Sequence, residues 1–204
     1  MSDHPLAVLE RIRRAPPAAG HAEAACDLCS DELAADHAHI VDLDERSLLC
    51  ACRACALLFT ADGAAAGRFR AVPRRYARMD DIVLAPGQWD ALQIPVSMAF
   101  FFRNSRTGEV SGFYPSPAGA TECLLPLQAW DDIERGNPTV TTLKPDVEAL
   151  LLRVDPMECL IVPIDSCYEL VGLLRRSWRG FDGGTEAREQ VRLFFSRMRE
   201  RAGG

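Results

Sequence analysis

The apolar positions of this chain fall into three regimes. Leu6, Leu9 and Ile12 recur at helical spacing before Pro16, Pro17 and Gly20 break the pattern, which predicts a short helix over 5–14 within a mobile N-terminal arm, residues 1–22. Across 23–75 the apolar runs are short and are punctuated by cysteine pairs. Residues 39–43 and 47–52, separated by Asp44, Glu45 and Arg46, read as a hairpin, and 56–60 with 68–72 read as a second. Beyond Pro73 the runs lengthen and alternate with helical patterns, so 76–204 are expected to form a separate unit. Its predicted strands are 96–102, 109–114, 122–125, 147–154 and 158–164. A helix over 127–135 ends at Gly136 and Pro138. Ser166 and Glu169 have the spacing of a capping box, which predicts a helix start there, with Leu170, Val171, Leu174 and Trp178 on one stripe and Gly180 as the stop. A last helix from about Thr185 places Val191, Phe194, Phe195 and Met198 together. The expected class is α+β: an N-terminal four-cysteine zinc ribbon, then a mostly antiparallel sheet with helices on one face.

The cysteines carry the chemistry. Cys26 and Cys29, then Cys52 and Cys55, make two Cys-x-x-Cys knuckles with 22 residues between them, a spacing typical of structural zinc sites. Two intervening residues let one tight turn present both sulfurs at about 2.3 Å to an ion, and a hairpin brings a second such turn opposite to complete a tetrahedron. Thiolate softness selects zinc, iron or copper over hard cations. Rubredoxin-type iron knuckles are typically followed by glycine, whereas Ser30 and Ala56 follow here, so zinc is the first reading and iron the alternative. Cys50 falls by strand alternation on the face of Cys52 and is a candidate additional metal or redox ligand, as is His39; His37 could substitute for a ligand as well. Cys123, Cys159 and Cys167 stand singly beside apolar runs and read as core.

Composition narrows the functional classes. A 48% hydrophobic content implies a real core, and eight cysteines in a chain without a visible secretion signal read as metal-binding or catalytic rather than as a disulfide framework. The longest apolar stretch, around 96–102, is far short of the roughly 20 residues that span a bilayer, so a cytoplasmic protein without membrane insertion is expected. A net charge of −6 argues against a nucleic-acid coat. Lys144 is the only lysine, and all four histidines lie in the first forty residues, which leaves later nucleophiles without an imidazole base and leans the reading away from an enzyme.

Two further segments stand out. Arg68, Arg70, Arg74 and Arg75, with Arg78 beyond and aromatic residues interleaved, form a basic stretch that is either a nucleic-acid patch or an ion-pairing surface. The proline-rich segment 113–122 reads as a possible binding loop in which Tyr114, Ser116, Gly119, Thr121 and Glu122 line a pocket, joined by Asp165 at a strand end.

Four segments together, LLCACRACALLF at 48–59, AFFFR at 99–103, YPSPAGATE at 114–122 and VPIDSCYELVGLLR at 162–175, resemble an uncharacterised bacterial family whose genes often sit in clusters encoding uptake-type nickel-iron hydrogenases. The likeness runs from about 26 to 195. It implies an accessory protein whose partner is a hydrogenase subunit or maturation factor, and it brings no activity with it. A redox or metal-delivery protein and a zinc-ribbon regulator that binds nucleic acid are the alternative readings.

Overall fold

The computed structural model describes residues 25–116, 119–123, 125–179 and 183–203; the predicted arm and its helix lie outside them. The chain builds two antiparallel sheets. The smaller has the order β2-β1-β3, from β1 (Ala38–Asp42), β2 (Ser47–Ala51) and β3 (Phe69–Ala71). β1 and β2 form the predicted hairpin, with Ile40 opposite Leu49.

The second predicted hairpin does not form. The second knuckle and the two residues after it coil into α1 (Arg53–Leu57), and β3 pairs with β1 instead. The knuckle itself causes this. The Cys52 sulfur accepts from the Cys55 amide at 3.4 Å, which caps a helical turn, and the turn then propagates through Ala54 to Leu57. One backbone bond, from the Ala71 amide to the Phe59 carbonyl at 3.0 Å, is left between the two segments.

The larger sheet runs β4-β9-β8-β5-β6-β7, from β4 (Ala77–Arg78), β5 (Met98–Arg103), β6 (Val110–Ser116), β7 (Gly119–Cys123), β8 (Glu148–Val154) and β9 (Met157–Pro163). Every described pairing is antiparallel. The pleat sends alternate residues to opposite faces. Ala149, Leu151, Leu160 and Val162 pack with Leu170 and Leu174 of α4 (Ile164–Ser177) and with Phe194 and Phe195 of α5 (Gly184–Ala202). Leu150, Leu152 and Ile161 face the other way, onto Trp130 and Ile133 of α3 (Leu127–Gly136). The two long helices thus share one face, and the short α2 (Gln88–Ala91), α3 and a 3-10 turn (Pro138–Thr142) close the other. Burial on both sides explains why β8 reads as a continuous apolar run instead of an alternating one.

The capping box does not form. α4 begins at Ile164, two residues earlier than Ser166, because Pro163 leaves β9 in an extended conformation and the Ile164 amide donates back to the Val147 carbonyl at 2.9 Å. Ser166 is buried against the Tyr76 hydroxyl at 3.2 Å, and Glu169 pairs with Arg197 at 2.7 Å. α5 runs as predicted, burying Val191, Phe194, Phe195 and Met198.

Gly112 on β6 leaves no room for a side chain. A Cβ there would lie 2.7 Å from the Cys123 sulfur, 2.9 Å from Leu125 Cδ1 and 3.0 Å from Phe101 Cε1. Gly112→Ala is expected to destabilise the protein by about 1–3 kcal/mol through overpacking. Urea unfolding with an unchanged slope would measure it, and a neutral result would show that these side chains can give way.

Candidate metal centre

The first knuckle is a tight turn in which the Cys26 amide donates to the Asp31 carbonyl and the Ser30 amide to the Cys26 carbonyl, both at 2.8 Å. Ser30 takes a φ of 63°, the left-handed conformation that glycine adopts most easily. This turn is docked on the edge of β2 by Asp27. Its amide donates to the Cys50 carbonyl at 2.9 Å and its carboxylate accepts from the Cys50 amide at 2.6 Å. The second knuckle follows two residues later, at the end of β2, so docking the first turn there brings the two pairs together.

The sulfurs of Cys26, Cys29, Cys52 and Cys55 all lie within 4.8 Å of one another. Those of Cys29 and Cys52 are 3.7 Å apart, and all four thiols are free. A tetrahedron with metal–sulfur bonds of about 2.3 Å has sulfur–sulfur edges of about 3.8 Å, so the donor set fits a tetrathiolate ion. Burial pushes the Cys26 thiol up, but backbone hydrogen bonds from Cys52, Leu28 and Cys29 outweigh it and bring Cys26 down to about 6. Cys55 is pushed up to about 12, first by its hydrogen bonds with Cys29 and Cys52 and then by burial. Crowded thiols of this kind are held together by shared protons or by a cation.

Cys50 does not join this cluster. It sits directly across from His39 in the β1–β2 register, and its outward amide and carbonyl are committed to Asp27, which makes the His39–Cys50 pair one of the close, non-hydrogen-bonded type. Alternation placed it with Cys52, but Cys52 lies past the strand end, where the period no longer holds. Cys50 meets His37 and His39 instead, with one ligand atom of each within 4.8 Å of the others. Burial, then the charges of Asp27 and Cys26, push its thiol up.

The fold also supplies the imidazole that the sequence placed far from the C-terminal residues. His39 Nδ1 is 2.9 Å from Asp165 Oδ2, across 126 positions of chain. The expected binding loop is in fact a paired hairpin, with Tyr114 opposite Thr121 and Ser116 opposite Gly119. The pleat separates its candidates. Thr121 donates to Ser116 Oγ at 2.9 Å on one face, on which Tyr114 packs into the core. Glu122 points the other way, into a groove of about 380 Å³ that Phe113, Tyr168 and Asp42 also line. Asp165 is turned to His39, so these residues do not converge on one pocket.

The basic stretch is matched residue by residue with carboxylates. Arg68 pairs with Asp42 at 2.6 Å, Arg70 with Asp146 at 2.9 Å, Arg74 with Asp36 at 3.2 Å, Arg75 with Glu148 at 3.0 Å and Arg78 with Asp80 at 2.8 Å. The Arg68 guanidinium holds the Asp42 carboxyl down at about 2. Glu148 is fully buried and also accepts from the Lys144 amide at 2.9 Å. Cys159 and Cys167 are buried in the cores, and Cys123 is half-buried beside Gly112.

The chain belongs to a family of unknown function, DUF5947, which matches residues 25–202. No curated protein and no solved structure matches it. Among the described residues, no helix is long and apolar enough to cross a membrane.

Burial distinguishes the arginine pairs. Arg75→Ala strands a buried carboxylate and is expected to cost about 3 kcal/mol, whereas Arg74→Ala breaks an exposed pair and is expected to cost under about 1 kcal/mol. Paired chemical denaturations would check this, and equal losses would contradict the buried role of Glu148.

Proposed function

We propose that this chain is a non-enzymatic, cytoplasmic accessory protein whose four cysteines hold a structural zinc ion, and that it supports assembly or maturation of a nickel-iron hydrogenase through protein–protein contacts. The observation that carries the metal is the meeting of Cys26, Cys29, Cys52 and Cys55 within 4.8 Å of one another, with the Cys29–Cys52 pair at 3.7 Å, close to the edge of a thiolate tetrahedron. Zinc is preferred because neither knuckle is followed by the glycine usual in iron–sulfur rubredoxins.

Support for a docking role comes from what the knuckles expose. Leu28, inside the first, is 40% exposed; Leu57 and Leu58, just beyond the second, are 60% and 68% exposed. A small ribbon that presents three leucines around its metal has apolar anchors for a partner. The hydrogenase assignment rests on the resemblance of the four quoted segments to a family encoded beside such enzymes. The arginine stretch lends little to a nucleic-acid reading, because its charges are already committed to carboxylates. A metal-delivery role draws on the second ligand cluster at Cys50.

Two measurements test this reading. The purified protein is expected to be colourless, to retain one tightly held zinc per chain, and to lose it in Cys55→Ser; a visible absorption that bleaches on reduction would assign iron instead. Co-purification with hydrogenase subunits or maturation factors is expected to recover a stable complex. Replacing Leu57 and Leu58 by Asp should weaken that complex at least about tenfold with zinc content unchanged. Zinc without any complex would retain the ribbon and remove the accessory role.

A further inference from the structure

The hairpin that leads to the second knuckle carries a different donor set where His39 and Cys50 face each other across β1 and β2. His37 Nδ1 is 2.9 Å from the Ala34 carbonyl, so Nδ1 holds the proton and Nε2 carries the lone pair. That Nε2 is buried and finds no hydrogen-bond partner among the described residues. A buried, unsatisfied imidazole nitrogen costs free energy and calls for an explanation. His39 is held in the same way, because Asp165 accepts from its Nδ1–H at 2.9 Å and leaves the Nε2 lone pair available. The rings are 4.8 Å apart at their centroids, and Cys50 faces them from the opposing strand.

A carbonyl or carboxylate behind the remote nitrogen of each ring is the usual arrangement around metal-bound histidine: it fixes the tautomer and the ring plane and raises the basicity of the ligating nitrogen. We propose that His37, His39 and Cys50 form a second metal site, separate from the four-sulfur cluster, that takes a borderline divalent transition metal such as zinc or cobalt and leaves one coordination position open. Two imidazoles and a thiolate suit this class and exclude magnesium and calcium. Three protein ligands leave a fourth position for water or for a donor from another molecule, unlike the closed tetrathiolate site. The His39 side chain is 23% exposed, so an ion can enter from solvent. Binding would release the Cys50 thiol proton to solvent as the metal–sulfur bond forms.

A Cys–His–Asp catalytic array is the competing use of Cys50, His39 and Asp165. It leaves the unpartnered His37 nitrogen unexplained, and no hydrogen bond joins Cys50 to His39 among the described residues.

The test is a titration of the full, reduced chain with Co²⁺, and separately with Zn²⁺, following thiolate-to-cobalt absorption and the number of equivalents bound. Two equivalents are expected, the second weaker and more readily removed by a chelator. Combined His39→Ala and Cys50→Ala should abolish the second and spare the first. Asp165→Ala, which touches no ligand sulfur, should weaken the second by about ten- to a hundredfold and leave the first unchanged. Cys29→Ser with Cys55→Ser should remove the tetrathiolate spectrum only. Circular dichroism establishes that each variant is folded, and a variant that is not folded is replaced by Asp165→Ala as the deciding case. A single equivalent, insensitive to Asp165→Ala and to loss of Cys50, overturns the second site and leaves the structural zinc intact; no equivalents at all defeats both. Rapid alkylation of Cys50 that requires His39, with only one metal bound, would assign the catalytic array instead.

Discussion

The N-terminal third of the molecule depends on one short contact: the two-point clamp between Asp27 and the backbone of Cys50. Cys26 and Cys29 come from a turn that has almost no core of its own; the buried residues around it are Cys26, Ile40, Ala51 and Ala56. So small a cluster supplies little hydrophobic stabilisation. The clamp fixes the first knuckle against β2, and β2 delivers the second knuckle, so four sulfurs arrive at one point. A cation bound there would supply what the apolar core lacks, which is why small ribbons of this kind are commonly metal-dependent.

The same clamp divides the strand's chemistry between two clusters. With its amide and carbonyl held by Asp27, Cys50 turns its thiol toward His39 and away from Cys52. One cluster of the ribbon then gathers four cysteine sulfurs, and the other gathers two imidazoles and one cysteine sulfur. The two sets differ in softness and in closure, so they suit different tasks: holding an ion permanently, and exposing one to exchange.

The ribbon is tied to the larger sheet both by apolar packing, in which Val41, Leu48 and Val72 rest on the main core, and by charge. Asp165 reaches His39, Asp146 takes Arg70, Glu148 takes Arg75, and Arg106 pairs with Asp44. Several of these are half-buried, and two of the arginines that looked like a basic surface, Arg70 and Arg75, are connectors. Asp165 lies in the first turn of α4, so its contact with His39 joins the ribbon to the start of the helix that covers the main core.

Local periodicity and spacing were enough to reveal the β1–β2 hairpin, the long strands, α3, α5 and the four-cysteine set, because each depends on residues close in sequence: a 2-residue or 3.6-residue repeat, or two thiols on one turn. They misplaced the elements whose fate lies with distant partners. Residues 56–60 look extended, but the capped helix takes 56 and 57 and a turn takes 58–60, and the Ser166 box gives way to a helix launched from Pro163 and Val147. Periodicity likewise cannot assign a face beyond a strand end, so Cys50 and Cys52 were grouped although they part company. The sequence by itself determined that the chain holds a soft-metal donor set ahead of an antiparallel α+β sheet. Only the tertiary structure decided that His39 meets Asp165 across 126 residues, that the arginines are matched to carboxylates, and that a second donor cluster exists. Such long-range meetings are set by how sheets and helices pack, and no local pattern encodes them.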